Sequence, residues 1–186
     1  MIETQDRNVR NHFLGEIETE IVGRQHHKAK VFPGEQVNLE RQAKNAHDRR
    51  AILVENGQFD PVGYLPRSMA SWLAPLIDSG EIHLDGYVPQ NFTETEKESS
   101  RCPLALMVFQ CEEGHRLLER SEPANELDAL HQTVLHAYQD AQSYRKPELI
   151  LGLAKGLQPL ERQELLPETR LLLALLPRLA HEAQPA

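Results

Sequence analysis

The chain has 186 residues, of which 40% are hydrophobic and 26% charged, and its formal net charge is −8. This length fits one domain, or one small domain with an appendage, and the composition is that of an ordinary soluble protein with a packed core. Two cysteines argue against a disulfide scaffold and favour a reducing compartment. The polar start and the lack of a long apolar run argue against a secretory signal or a membrane span, so a cytoplasmic location is expected.

The first part of the chain carries the patterns of short strands. After a lead-in over residues 1–15, which we expect to be loosely ordered, Ile17, Thr19 and Ile21 alternate with glutamates, as the residues of a half-buried strand do. Asn56-Gly57 is a strong hairpin signal. Further strands are predicted at Gln36–Arg41, Ala51–Glu55, Phe59–Tyr64, Ile82–Val88 and Pro103–Cys111, with turns at Val22–His27 and Phe32–Glu35.

Apolar residues at helical spacing occur in one segment among the strands and then throughout the last part of the chain. Pro66–Ser79 predicts a helix that stops at Gly80. Further helical segments are predicted at Glu126–Tyr144, Pro147–Leu157, Leu160–Leu166 and Glu168–Ala180. The apolar stripe Leu171–Leu179 is too wide for an exposed helix and must pack on other helices, on the strands or on a partner. The predicted fold is a mainly β small barrel, OB-like, with about six strands and one helix, followed by a helical extension.

Charge is unevenly distributed along the chain. Residues 21–50 carry seven cations and three anions, a net charge of +4, which leaves −12 for the remainder. An acidic protein with one basic segment can bind a polyanion locally, although a solvated charged face is the plainer interpretation.

The landmarks of this segment and of the strands after it fall in an order that resembles the HIRAN domain family of helicase-like, Swi/Snf-type proteins. They are Val22-Gly23-Arg24-Gln25-His26-His27, Asn45-Ala46-His47-Asp48-Arg49-Arg50-Ala51-Ile52, Val62-Gly63-Tyr64-Leu65, Leu73-Ala74-Pro75-Leu76-Ile77-Asp78-Ser79-Gly80 and Pro103-Leu104. The resemblance implies a HIRAN-like barrel over residues 16–112, which grips the 3′ end of single-stranded DNA, and a helical extension over 113–186.

The resemblance also implies the roles of individual residues. In such domains aromatic rings stack on the last two bases, an aspartate accepts a hydrogen bond from the 3′-hydroxyl, and basic residues hold phosphates. Histidine stands at the stacking positions here, where tyrosine is familiar, and Ser100 takes the place of a later aromatic. A neutral imidazole also stacks, and its protonated form attracts phosphate. The implied DNA-binding set is Arg24, Gln25, His26, His27, Lys44, Asn45, His47, Asp48, Arg49 and Arg67.

Several of these residues also fit a purely structural role. Asp48 could cap a turn, which is compatible with accepting from a hydroxyl. Arg67 is equally consistent with phosphate contact and with plain surface charge. Trp72 and Tyr64 lie on apolar faces and are assigned to the core.

Metal binding and catalysis find little support in the sequence. His26 and His27 could ligate zinc with Cys102, Cys111 or His115, but no ligand pair in the barrel has zinc spacing. The phosphate-binding loop of ATPases and the nucleophile elbow of hydrolases are absent from the sequence. We therefore expect a non-enzymatic protein that needs no cofactor or metal.

The sequence favours a nucleic-acid-binding module for single-stranded DNA with free 3′ ends, at damaged or stalled replication sites. A DNA-processing ATPase or nuclease on another chain is a candidate partner, and no membrane is expected to be involved. The alternative is a protein-interaction adaptor, in which the barrel is structural and the leucine-rich C-terminal helices recruit a partner.

Overall fold

The computed structural model describes residues 12–92, 100–111, 123–144 and 146–182 of the chain. Six strands and one helix come first: β1 His12–Ile21, β2 Gln36–Arg41, β3 Ile52–Glu55, β4 Pro61–Tyr64, α1 Arg67–Asp78, β5 Ile82–Tyr87 and β6 Cys102–Gln110. Three longer helices follow: α2 Glu126–Tyr144, α3 Pro147–Leu157 and α4 Pro167–Glu182. Arg24–His26 and Gln158–Arg162 form short 3-10 turns.

All the strands belong to one antiparallel sheet in the order β1-β6-β5-β2-β3-β4. The sheet is not closed by a full ladder. Its two edge strands approach each other at one isolated bridge, where Val22 and Tyr64 exchange two backbone hydrogen bonds of 2.9 Å. Gly63 makes this approach possible, because a Cβ there would lie 2.5 Å from the Val22 carbonyl oxygen. The predicted small barrel with six strands and one helix is confirmed in this barrel-like form.

Alternation places the strand side chains as the sequence predicts. Along β5, Ile82, Leu84 and Gly86 are buried while His83 and Asp85 are exposed. α1 buries Trp72 and Leu73 in the core and ends where Gly80 takes a φ of 74°, a left-handed conformation that favours glycine.

The helical extension packs on the sheet. Four of the α4 leucines predicted as an apolar stripe, Leu171, Leu172, Leu175 and Leu176, are at most 1% exposed, and Leu179 is partly buried against the same core. Leu175 lies against Gly15 of β1, where an added Cβ would be 2.9 Å from Leu175 Cδ2. The Tyr138 hydroxyl of α2 donates to the Leu14 carbonyl at 2.9 Å. The stripe is therefore used by the protein's own core, and the boundary between residues 112 and 113 stays a prediction.

Three local predictions need correction. β1 begins at His12, so residues 12–15 are part of a strand and not of a loose lead-in. Residues 160–166 do not form an α-helix, since the 3-10 turn ends at Arg162 and the chain is then irregular up to α4. The strand predicted at Phe59–Tyr64 begins at Pro61 instead, and Phe59 lies in the preceding loop with a positive φ of 65°.

Candidate functional site

Half of the predicted DNA-binding residues lie in a tight loop between β2 and β3 that its own side chains stabilise. Asn45 Oδ1 accepts from the amides of His47 and Asp48 at 2.9 and 3.2 Å. Asp48 Oδ1 in turn accepts from the Arg50 amide at 2.8 Å. Asp48 thus caps a turn, as one interpretation of the sequence expects.

The second carboxylate oxygen of Asp48 faces a cation from the start of α1. Arg67 Nε donates to Asp48 Oδ2 at 3.2 Å. The Arg67 side chain is 80% exposed and that of Asp48 27% exposed, so solvent reaches the pair. The Arg50 amide first, and the Arg67 guanidinium after it, hold the pKa of Asp48 below its ordinary value, although partial burial opposes them. Asp48 is therefore an ionised acceptor at neutral pH.

The loop is fixed to the barrel by Arg41, at the end of β2. Its guanidinium donates to both carboxylate oxygens of Asp78 at 2.9 and 2.8 Å. It also donates to the carbonyls of Ala51 at 2.9 Å and Arg49 at 2.8 Å. One cation of the basic segment is thus structural, and its positive charge is paired.

The Arg24–His26 turn lies on the other side of the site, and Tyr64 connects the two sides. The rings of His27 and Tyr64 are 5.8 Å apart between centroids. Gln42 Oε1 accepts from the Tyr64 hydroxyl at 3.4 Å and from Asn45 Nδ2 at 3.0 Å. A continuous set of contacts therefore runs from His27 to the Asp48 loop.

Sequence reasoning missed Tyr64 and Gln42 as members of the site. The sequence pattern predicts a core position for Tyr64, yet its side chain is only partly buried and its hydroxyl reaches Gln42. The one available signal was its place in Val62-Gly63-Tyr64-Leu65, one of the landmarks of the resemblance.

The remaining predicted residues surround these contacts. Lys44, His47 and Arg49 are exposed on the Asp48 loop, and Gln25 and His26 are exposed on the turn, where Gln25 Nε2 and His26 Nε2 are 3.2 Å apart. Arg24 is partly buried in the same turn. The structure thus places the predicted set on two neighbouring loops and the first residue of α1.

A metal site has no support in the described part of the chain. Within it, no three His, Cys, Asp or Glu side chains cluster as metal ligands would. Cys102 and Cys111 are free thiols at opposite ends of β6, and His115 lies outside the described residues. Among the described helices, none has the length and hydrophobicity needed to cross a membrane.

Comparison with known proteins points to one family. The HIRAN domain model matches residues 14–108, just over half of the chain. Two Arabidopsis thaliana proteins are similar. A putative SWI/SNF-related matrix-associated actin-dependent regulator of chromatin subfamily A member 3-like 1 is 33% identical over 58% of this chain and 12% of its own length. A Fanconi-associated nuclease 1 homolog is 36% identical over 50% of this chain and 10% of its own. The chain therefore spans about a tenth of these relatives.

Among solved structures, the crystal structure of the HIRAN domain of human HLTF is similar, with a TM-score of 0.50 and 28% identity over 55% of this chain and 82% of that chain. The same HLTF domain has also been determined by NMR in a DNA-bound conformation, which matches with a TM-score of 0.48.

Proposed function

This chain belongs to the HIRAN domain family, and from this membership we infer that it binds nucleic acid, with the free 3′ end of single-stranded DNA as its preferred ligand. The observation that carries the proposal is the Asp48 loop. It holds an ionised carboxylate beside the exposed guanidinium of Arg67, on the positively charged segment of an otherwise acidic protein. The DNA-bound conformation belongs to the HLTF domain, and it makes DNA the ligand to test here.

The carboxylate gives the site a way to distinguish an end from an internal nucleotide. A carboxylate normally repels a phosphate backbone. A terminal 3′-hydroxyl, in contrast, can donate a hydrogen bond to the carboxylate. Each oxygen of Asp48 already accepts one hydrogen bond and retains a second lone pair. A 3′-phosphate or an internal phosphodiester offers no donor and would place negative charge against Asp48.

The surrounding groups supply affinity without sequence preference. His26, His27 and His47 present planar rings beside the site, and base stacking is worth about 1–3 kcal/mol per base for any sequence. Lys44, Arg49 and Arg67 offer exposed cations to phosphates. Such binding is non-covalent and needs no cofactor. It would suit a module that brings a DNA-processing ATPase or nuclease to damaged or stalled replication sites.

Fluorescence anisotropy tests the proposal directly. Short labelled single strands with a free 3′-hydroxyl are compared with strands blocked at the 3′ end, at low and at moderate salt. We expect tighter, salt-sensitive binding of the free hydroxyl, because phosphate contacts weaken with ionic strength. If neither strand binds at low salt, the function is wrong, and the adaptor alternative would become the one to pursue.

A further inference from the structure

The two most exposed large hydrophobic side chains in the described part of the chain are both phenylalanines outside the family site. Phe59 is 69% exposed and Phe32 61% exposed. Phe13, the next aromatic in exposure at 45%, packs on Phe109 with ring centroids 5.4 Å apart. Among the described residues neither Phe32 nor Phe59 has such a ring contact. These two side chains therefore contribute little packing to the stability of the fold.

Phe59 is also held in a backbone conformation that suits glycine. Its φ is 65°, and it is the only non-glycine residue with positive φ in the described ranges. Asn56 fixes this loop, since its Oδ1 accepts from the amides of Gln58 at 3.0 Å and Asp60 at 2.9 Å. A bulky residue at positive φ is strained and glycine there is not. An exposed aromatic kept at such a position points to a role at the surface.

The two phenylalanine loops are joined by one carboxylate. Glu35 Oε2 accepts from the Phe32 amide at 2.8 Å, and Glu35 Oε1 accepts from the Gly57 amide at 3.1 Å. Phe32 and the Phe59 hairpin therefore lie on the same side of the barrel in a fixed arrangement.

A cleft lies between the residues that follow Phe59 and the Arg24–His26 turn of the family site. Its volume is about 450 Å³, and it is lined by His26, His27, Lys28, Ala29, Asp60 and Pro61. Asp60 directly follows Phe59, and Pro61 begins β4, whose last residue Tyr64 contacts His27. A four-residue strand is roughly 13 Å long. The phenylalanine pair and the Asp48 loop thus lie toward opposite ends of β4, with the histidines between them.

The cations along this path are available to a polyanion. Lys28 and Lys30 are exposed, and among the described residues neither forms an ion pair. Among the residues that line the cleft, Asp60 alone carries a carboxylate, and it is exposed. The carboxylate of Glu35, near the phenylalanines, accepts from two amides. Proteins that bind single-stranded nucleic acid do so with aromatic rings that stack on bases and cations that contact phosphates.

We propose that Phe59 and Phe32 form a second stacking subsite, which binds the internal nucleotides of a single DNA strand whose 3′ end occupies the Asp48 loop. The proposal rests on the proposed function and extends it from the terminal bases to the strand behind them. Phe59 stacks on a base, Phe32 supports the next, and Lys28 and Lys30 contact the phosphates between the two sites.

The test compares a short strand of about three nucleotides with one of about ten, both with a free 3′-hydroxyl and at the same low salt. Phe59→Gly is expected to weaken binding of the longer strand by roughly 5- to 150-fold and to leave the short strand unchanged. Phe32→Ala is expected to act in the same direction. Phe13→Ala is the matched control, because it removes an exposed aromatic elsewhere on the sheet, and neither strand should respond to it.

Stability separates this effect from damage to the fold. Because glycine relieves the positive φ, Phe59→Gly is expected to raise the thermal midpoint by about 1–4 °C while it weakens binding. If Phe59→Gly and Phe32→Ala both bind the longer strand as the wild type does, the subsite is overturned. If both weaken it but the wild type does not distinguish a 3′-hydroxyl from a blocked end, the subsite stands and end reading fails. If the wild type binds neither strand, both proposals fail.

Discussion

Arg67 and Asp48, 19 residues apart in the chain, meet where β4 leads into α1, and Arg67 Nε donates to Asp48 Oδ2 at 3.2 Å. For each residue the sequence allows both a structural role and a role in DNA binding, and the geometry of the pair is compatible with both. Asp48 caps its own loop through the Arg50 amide and still presents its other oxygen outward. Arg67 is 80% exposed, so it can exchange its contact with Asp48 for a phosphate at little cost.

Replacing Arg67 should weaken DNA binding through the loss of a phosphate contact. We expect Arg67→Ala to reduce affinity for all single strands and to lower the salt slope by about 0.7, the value for one phosphate contact on a single strand. Titrations at several salt concentrations measure this slope. Arg162→Ala is the matched control, because Arg162 is an exposed arginine in the 3-10 turn of the helical extension and is outside the predicted DNA-binding set. Equal slopes for the two variants would remove Arg67 from the site.

Arg41 should act on the site through the fold alone. Its side chain is only 13% exposed, and its guanidinium donates to Asp78 and to two loop carbonyls. We expect Arg41→Ala to lower the free energy of unfolding by about 1–3 kcal/mol, because the Asp78 carboxylate and two loop carbonyls lose a charged donor. Urea denaturation measures this loss. Binding should weaken as the Asp48 loop loosens, while the salt slope stays unchanged. A lower slope would instead mean that Arg41 contacts phosphate.

The lowered pKa of Asp48 predicts how its contribution to stability depends on pH. A carboxyl whose pKa is depressed in the folded state stabilises the protein above its unfolded pKa of about 3.9. That contribution is lost as the pH falls through the folded value. The difference in unfolding free energy between the wild type and Asp48→Asn should therefore be constant from pH 8 to 5 and shrink below about pH 4. Denaturation at pH 7, 5 and 3 checks this, and a difference that vanishes by pH 5 would contradict it.

Much of the fold was predictable because it depends on local patterns. The alternation of Ile17 to Ile21, the alternation along β5 and the stop at Gly80 all appear in the structure as the sequence indicates. The hairpin shows where local rules fail. Asn56-Gly57 correctly predicts a hairpin, but the pattern does not show that the loop extends from Asn56 to Asp60 and places Phe59 at positive φ.

The site was less predictable because its contacts join distant residues. The resemblance named Asp48 and Arg67, but no pattern shows that Arg67 turns back to Asp48 or that Arg41 reaches Asp78, 37 residues away. The spacing of β1 also could not show that its alternation continues back to His12, because the bulge between Phe13 and Gly15 interrupts the period. These arrangements follow from tertiary packing.

Gly63 should be indispensable to the closure of the barrel. An added Cβ would lie 2.5 Å from the Val22 carbonyl oxygen and 2.7 Å from Ile21 Cγ2, beside the bridge between Val22 and Tyr64. We expect Gly63→Ala to lower the free energy of unfolding by about 1–3 kcal/mol or more, as overpacking does. Gly152→Ala is the control, since nothing lies within 4 Å of a Cβ there. Urea denaturation measures the free energy of unfolding of both variants. Equal values would mean that Val22 can move away from the added Cβ without a loss of stability.

The most direct measurement is the ratio of dissociation constants for strands ending in a 3′-phosphate and in a 3′-hydroxyl, for the wild type and for Asp48→Ala. Asp85→Ala is the control, because Asp85 is an exposed aspartate that pairs with His83 on β5. We predict that the wild type and Asp85→Ala prefer the hydroxyl, and that Asp48→Ala loses this preference while it retains affinity for the strand. A wild type that binds both ends equally, or an Asp48→Ala variant with an unchanged ratio, would contradict the proposal that Asp48 reads the 3′ end.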